Sequence, residues 1–283
     1  MIKHKRIGLG FHGDHIRYAD GWEKKLSAIG IKESANWETL TIGKHIRGTG
    51  SSLVNCFRHV MPDGEVIYFK RYVLKRRRPQ FTYPMPSKPI VENYGFNVLK
   101  NINIPTLDVL AIGEHRRYGR LLAGFIVTRG VEPSADLAAF AAEQWYAMPE
   151  PLRSQTYLQI SESILNQLKI AHENNFCHHD LKWRNILVQK IEDGYKTTWI
   201  DCPRAETMVL REKRRILVDI GSLARLAMSY LPVREQLRWL QRYVDVTQCQ
   251  YTARELFVSV QRYLRSRQPK LLKVEKRHIS RMN

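Results

Sequence analysis

A chain of 283 residues is long enough to bury a sizeable core, as one large domain or as two smaller lobes. Its 43% hydrophobic and 10% aromatic content excludes a disordered polyelectrolyte, even at a formal net charge of +19. That charge points to an anionic partner, whether nucleic acid, an acidic membrane face or a phosphorylated substrate, and is silent on fold. The basic start MIKHKRIGLGFHGDHIR lacks the apolar centre of a signal peptide, and the longest apolar run, Leu121 to Val127, is too short to cross a bilayer. Four scattered cysteines without a C-x-x-C pair fit a cytosolic chain with reduced thiols.

Residues 1–37 read as a polar, irregular N-terminal extension. Gly8 to Gly13 spell G-x-G-x-x-G, but charged residues precede them where a dinucleotide loop needs a strand, so that reading is rejected. From Thr39 the sequence alternates β-rich runs with turn signals, and Pro62-Asp63-Gly64 turns between two of them, predicting a three-stranded antiparallel meander. A helix follows within the stretch 87–105, with Pro89 near its first turn and Pro105 beyond its end. TLDVLAIGE and RLLAGFIVTRG add two strands, giving five strands and one helix for the first half.

From about Leu137 the apolar period becomes helical. Ile160, Ile164, Leu168 and Ala171 share one stripe, and a hairpin turning at Asp193-Gly194 separates that helix from three more. The expected divisions are the extension at 1–37, a β-rich lobe at 38–131, a helical lobe at 132–268 and a basic tail at 269–283.

Between the first long helix and the hairpin stands FCHHDLKWRNILV. His178, Asp180, Leu181 and Asn185 match the H-x-D-L-x-x-x-N pattern of kinase catalytic loops, and the lobe order predicts a two-lobed, α+β protein-kinase-like fold. Phosphoryl transfer needs a carboxylate to receive the acceptor's hydroxyl proton, the role open to Asp180, and a cation such as Lys182 to offset charge built up at the γ-phosphate. Mg2+ must bridge the phosphates of ATP, with Asn185 and the post-hairpin Asp201 as its ligands. Upstream, Lys70 ends a strand and can pair the α/β-phosphates. Glu92 on the next helix can orient it, with Glu114 as a competing carboxylate. The glycine loop is GTGSSL, where Gly48, Gly50 and Ser51 offer backbone N–H groups although a third glycine is absent. Taken singly these features are ordinary: Asp180–Lys182 as a surface pair, Asp201 as a helix cap, Lys70 as one charge in a basic run. In this order, they are a phosphotransferase kit.

Departures from eukaryotic-type protein kinases narrow the substrate. His179 replaces an arginine that reads activation-loop phosphate, Cys202-Pro203 follows Asp201 in place of Phe-Gly, and only eighteen positions separate Asp201 from Asp219. Little chain is left for a peptide-docking platform. HHDLKWRNILV, WIDCPRA and RRILVDIGSLARL resemble the lipopolysaccharide core kinase family, the Kdo-kinase and heptose-kinase group of Gram-negative bacteria. The resemblance implies an ATP- and Mg2+-dependent kinase that phosphorylates a sugar hydroxyl of the inner core. It also implies Asp180 as catalytic base, Asn185 and Asp201 as metal ligands, and Lys70 on ATP. The heptose-kinase branch often replaces the asparagine that stands here as Asn185, so the loop is nearer the Kdo-kinase arrangement.

The expected partners are the lipid-linked core saccharide and, peripherally, the anionic cytoplasmic face of the inner membrane, with the basic runs Lys70 to Arg78 and Arg262 to Arg281 as candidate contacts. Nucleic acid explains the charge but not the loop. A choline- or aminoglycoside-type kinase, a protein Ser/Thr kinase and a non-catalytic pseudokinase scaffold are the alternatives. A cationic acceptor is disfavoured by the basic chain, a protein acceptor by the short segment after Asp201, and a scaffold by the presence of Lys, Asp and Asn together.

Overall fold

In the computed structural model, the residues described are 1–33, 35–46, 54–74, 82–202, 204–207 and 212–279, with side chains as far as 266. Gly48, Gly50, Ser51, the Arg76 to Arg78 run and most of the basic tail's side chains lie outside them. The chain divides into two units, Met1–Ala135 with Leu187–Glu192 and Thr197–Ala205, and Asp136–Ile186 with Asp193–Lys196 and Glu206–Asn283.

The first unit is built on a six-stranded antiparallel sheet. Its elements are β1 (Gly13–Tyr18), α1 (Trp22–Ala28), β2 (Lys44–Ile46), β3 (Val54–Val60), β4 (Val66–Val73), α2 (Lys88–Asn101), β5 (Val109–Arg117) and β6 (Arg120–Arg129), with strand order β1-β5-β6-β4-β3-β2. The β3–β4 turn closes as the Pro-Asp-Gly signal demands: Met61 N–H donates to the Glu65 carbonyl at 2.8 Å and Gly64 takes φ 84°, a conformation easy only for glycine. β5 and β6 are buried almost end to end, which is why their sequences read as continuous apolar runs. α2 packs on these two strands.

Residues 1–37 differ from the sequence reading. They contain β1, paired along β5 from Gly13↔Arg116 to Tyr18↔Ala111, and α1. Trp22, Leu26, Ile31 and Trp37 join Phe57, Phe69 and Phe125 in one apolar cluster. Four widely spaced apolar side chains among charges carry no clean period, yet together they cover a sheet face. Among the described residues the first half therefore has six strands and two helices.

The second unit begins near the short strand β7 (Ala135–Asp136). Asp136 caps α3 (Leu137–Glu143) by accepting from the Ala138 and Ala139 N–H groups at 3.0 Å each. α4 (Leu152–Glu173) buries Ile160, Ile164, Leu168 and Ala171 on the predicted stripe. Then come β8 (Phe176–Cys177), the hairpin strands β9 (Ile186–Ile191) and β10 (Gly194–Trp199), which contribute Leu187–Glu192 and Thr197–Trp199 to the first unit, and β11 (Glu206–Thr207). α5 (Glu212–Tyr230), α6 (Val233–Thr247) and α7 (Ala253–Ile279) follow, and α5 packs against α7.

Candidate active site

Strand alternation places Ile67 and Phe69 in the apolar cluster and turns Lys70 and Tyr72 away from it. The Lys70 ammonium lies 2.9 Å from Glu92 Oε1 and 2.5 Å from Asp201 Oδ1, and the Tyr72 hydroxyl donates to the same Glu92 oxygen. Glu92 sits on the first turns of α2, and Gly95, three residues on, explains how the Asp201 segment comes so near. A Cβ at Gly95 would stand 2.7 Å from the Cβ atoms of both Cys202 and Ala205. Asp201 itself has φ 62°, the left-handed region that costs a non-glycine residue energy and is concentrated at functional positions.

Burial works to lower the Lys70 pKa, but Glu92, Tyr72 and Asp201 overcome it and hold the ammonium well above its ordinary value. Burial pushes the Glu92 carboxyl up, and Lys70 offsets that only in part because Asp201 adds a second negative charge. One ammonium thus serves two carboxylates. A cation delivered at Asp201 would relieve that imbalance, and hard oxygen donors of this kind suit magnesium.

In the second unit the catalytic-loop motif is fastened by α5. Asp219, fully buried, accepts from the backbone N–H of His178 at 3.0 Å and of His179 at 2.9 Å, and faces His172 Nε2 at 3.5 Å. Burial alone would raise the Asp219 pKa; the neighbouring His172 and His178, with the backbone N–H donor of His178, bring it below the ordinary carboxylate value. His179 has φ 65°, and its Nε2 meets Glu206 Oε1 at 2.8 Å. Beyond this turn Leu181 is buried while Asp180 remains accessible, its carboxylate 2.7 Å and 2.9 Å from Lys182 Nζ. Asn185 donates its amide N–H to the Asp180 carbonyl at 2.8 Å, which commits its nitrogen and leaves Oδ1 as the atom to offer a cation. The apolar flanks of the motif are thus anchors, and the polar residues between them are what they hold up.

Comparison with known proteins decides the lineage: the model of the lipopolysaccharide kinase (Kdo/WaaP) family matches residues 40–251, three quarters of the chain. The chain belongs to that family. It is accordingly a kinase, a phosphotransferase acting on a sugar hydroxyl of the lipopolysaccharide core. Among solved structures it is similar to one described as WaaP in complex with acyl carrier protein, at 22% identity and a TM-score of 0.59, covering 93% of this chain and 97% of that one. That likeness shows a kinase-like fold, a β-rich unit followed by a helical one. No curated protein matches the chain.

Of the site residues expected from the sequence, Lys70, Glu92 and Asp201 come together in the first unit, and Asp180, Lys182 and Asn185 in the second. Gly48, Gly50 and Ser51 lie outside the described residues. The choice between Glu92 and Glu114 is made by packing: Glu114 is buried against Arg116 at 2.9 Å and accepts from the Leu9 and Ser87 backbone N–H groups at 2.7 Å and 3.0 Å. Among the described residues no three His, Cys, Asp or Glu side chains gather as a metal cage. Two supporting residues escaped the sequence reading. Tyr72 reads there as one more β-rich aromatic. Asp219 reads there as a residue of the next helix, although a lone carboxylate inside the apolar run ILVDIGSL signals a buried acceptor.

Proposed function

We propose that this kinase transfers the γ-phosphoryl group of ATP, with Mg2+, to a hydroxyl of an inner-core sugar, Kdo in preference to a heptose. The observation that carries the reading is Lys70 held between Glu92 and Asp201, an ammonium fixed by two carboxylates where nucleotide phosphates could meet it. Asp180 accepts the proton of the attacking hydroxyl. Lys182, already 2.7 Å from that carboxylate, orients it and offsets negative charge on the group in transfer. Asp201 and Asn185 provide oxygen donors for magnesium, Lys70 binds the α/β-phosphates, and Glu92 keeps the ammonium in place. Gly48, Gly50 and Ser51 complete the set as the phosphate-covering loop. Bound MgATP supplies the phosphoryl group and much of the positive charge its transfer requires.

The test is Asp180→Asn. Phosphoryl transfer to core saccharide should fall by roughly 10²–10⁴ while MgATP affinity measured by calorimetry stays within about twofold. Activity within about tenfold of wild type would remove Asp180 from the role. Mass spectrometry of the product identifies the sugar and hydroxyl.

Location follows from charge. Among the described residues no helix is long and apolar enough to cross a membrane, and a chain of net charge +19 is attracted to an anionic bilayer and a phosphorylated acceptor. We place it at the cytoplasmic face of the inner membrane as a peripheral protein. Acyl carrier protein is a second candidate partner: WaaP was solved with it, and the second unit of this chain encloses an apolar cavity of about 130 Å³ bounded by residues such as Phe140, Ile164, Leu223 and Phe257. A shift in melting temperature with acylated carrier protein, absent with the unacylated form, would support that partner.

A further inference from the structure

The second unit holds a series of aromatic side chains that the transfer chemistry does not use. It starts on the catalytic loop. Trp183, three residues past Asp180 and on the same short turn as Asn185, stacks on Tyr230 at the end of α5, with centroids 5.3 Å apart and planes 29° from parallel. Tyr230 meets Tyr146 edge-on at 6.4 Å, Tyr146 meets Trp145 at 6.1 Å, and Trp145 meets Tyr157 at 6.4 Å. From Tyr230 onward these rings wall a groove of about 520 Å³, within the range of ligand pockets. Tyr146 is 62% exposed at its mouth, so its ring is not explained by core packing.

The rim of the groove is polar but close to neutral. Arg153 lies 2.9 Å from Glu150, Arg238 lies 2.7 Å from Glu235, and Arg242 is paired with Glu162. A phosphate would have to displace a carboxylate from its guanidinium. Sugar hydroxyls need not, because they donate to the carboxylates and accept from the guanidinium N–H groups at once. Aromatic faces suit the C–H face of a pyranose, apolar in its middle and polar at its edge.

We propose that this groove is an acceptor subsite, holding the core saccharide beyond the sugar that is phosphorylated, by ring faces and hydroxyls and not by its phosphates. The proposal rests on the core-kinase reading and deepens it: the aromatic series gives an extended saccharide a continuous path from the catalytic loop.

The probe is core oligosaccharide that has been de-acylated and chemically dephosphorylated. Quenching of tryptophan fluorescence reports its binding without catalysis, and turnover is measured separately. Tyr146→Ala, at an exposed site, should weaken binding and raise the acceptor KM by roughly fivefold to tenfold, leaving kcat and MgATP affinity unchanged. Tyr146→Phe should restore both, and Arg238→Gln should weaken binding. Saccharide binding that is absent in wild type, or equal in wild type and Tyr146→Ala, overturns the proposal. So does an effect of Tyr146→Ala confined to acylated acceptors or to acyl carrier protein, which would assign the groove to an acyl partner. Failure of the kinase reading looks different: saccharide binds and Tyr146→Ala weakens it, yet no phosphate is transferred.

Discussion

Replacing Tyr72 by Phe removes one oxygen and leaves the buried ring in place, so it isolates the hydrogen bond to Glu92. A hydrogen bond to a charged acceptor contributes about 1.5–3 kcal/mol. Here the same Glu92 oxygen keeps the Lys70 ammonium at 2.9 Å, so the loss should sit near the lower end. Burial already pushes the Glu92 carboxyl up, and the Tyr72 hydroxyl is one of the groups pulling it down. Without that donor the ionised form loses about 1–2 kcal/mol relative to the protonated form, which raises the Glu92 pKa further. Protonated Glu92 no longer holds Lys70. The acid limb of log kcat/KM for ATP should therefore move to higher pH, with little change at alkaline pH. Steady-state kinetics on core acceptor between about pH 5 and 9 measure this. A uniform loss at every pH, or an unmoved acid limb, would refute the assignment of Tyr72 as a positioning residue for the Lys70–Glu92 pair.

Asp219→Asn retains one acceptor for the His178 and His179 N–H groups and sets an amide donor against the other, so it should destabilise the protein by about 3 kcal/mol at neutral pH in urea unfolding. Because the folded state holds Asp219 below its ordinary value, its contribution is complete above about pH 4 and lost as pH falls through the folded pKa; the gap between wild type and variant should close in acid, and a gap independent of pH would contradict this. Glu114→Gln leaves the buried Arg116 without its countercharge and should cost about 3–5 kcal/mol in the same assay, whereas a loss under about 1 kcal/mol would mean that the Met85 and Gly119 carbonyls suffice. Gly95→Ala presses on Cys202 and Ala205 and should displace the Asp201 segment at about 1–3 kcal/mol, seen in calorimetry as weaker MgATP binding in a protein that still folds; unchanged affinity would show that α2 can retreat.

Local chemistry declares most of this protein. The Pro-Asp-Gly turn, the doubly buried runs of β5 and β6, the four-residue stripe of α4 and the spacing of His178, Asp180 and Asn185 are written in consecutive residues, where backbone preference and apolar period act over a few positions. The six-stranded sheet was only partly legible. β1 and α1 draw their stability from Trp22, Leu26, Ile31 and Trp37 meeting Phe57, Phe69 and Phe125, a cluster assembled from residues far apart in the chain. Choosing Glu92 over Glu114 likewise depended on helix α2 bringing its carboxylate to Lys70 while Glu114 stays with Arg116 on their own strand. Tyr72 and Asp219 look like filler until Glu92 and the loop backbone arrive beside them. Residue type and short spacing therefore announce the chemistry. Which carboxylate meets which cation is settled only when burial removes water and every charge must find its partner across the sequence.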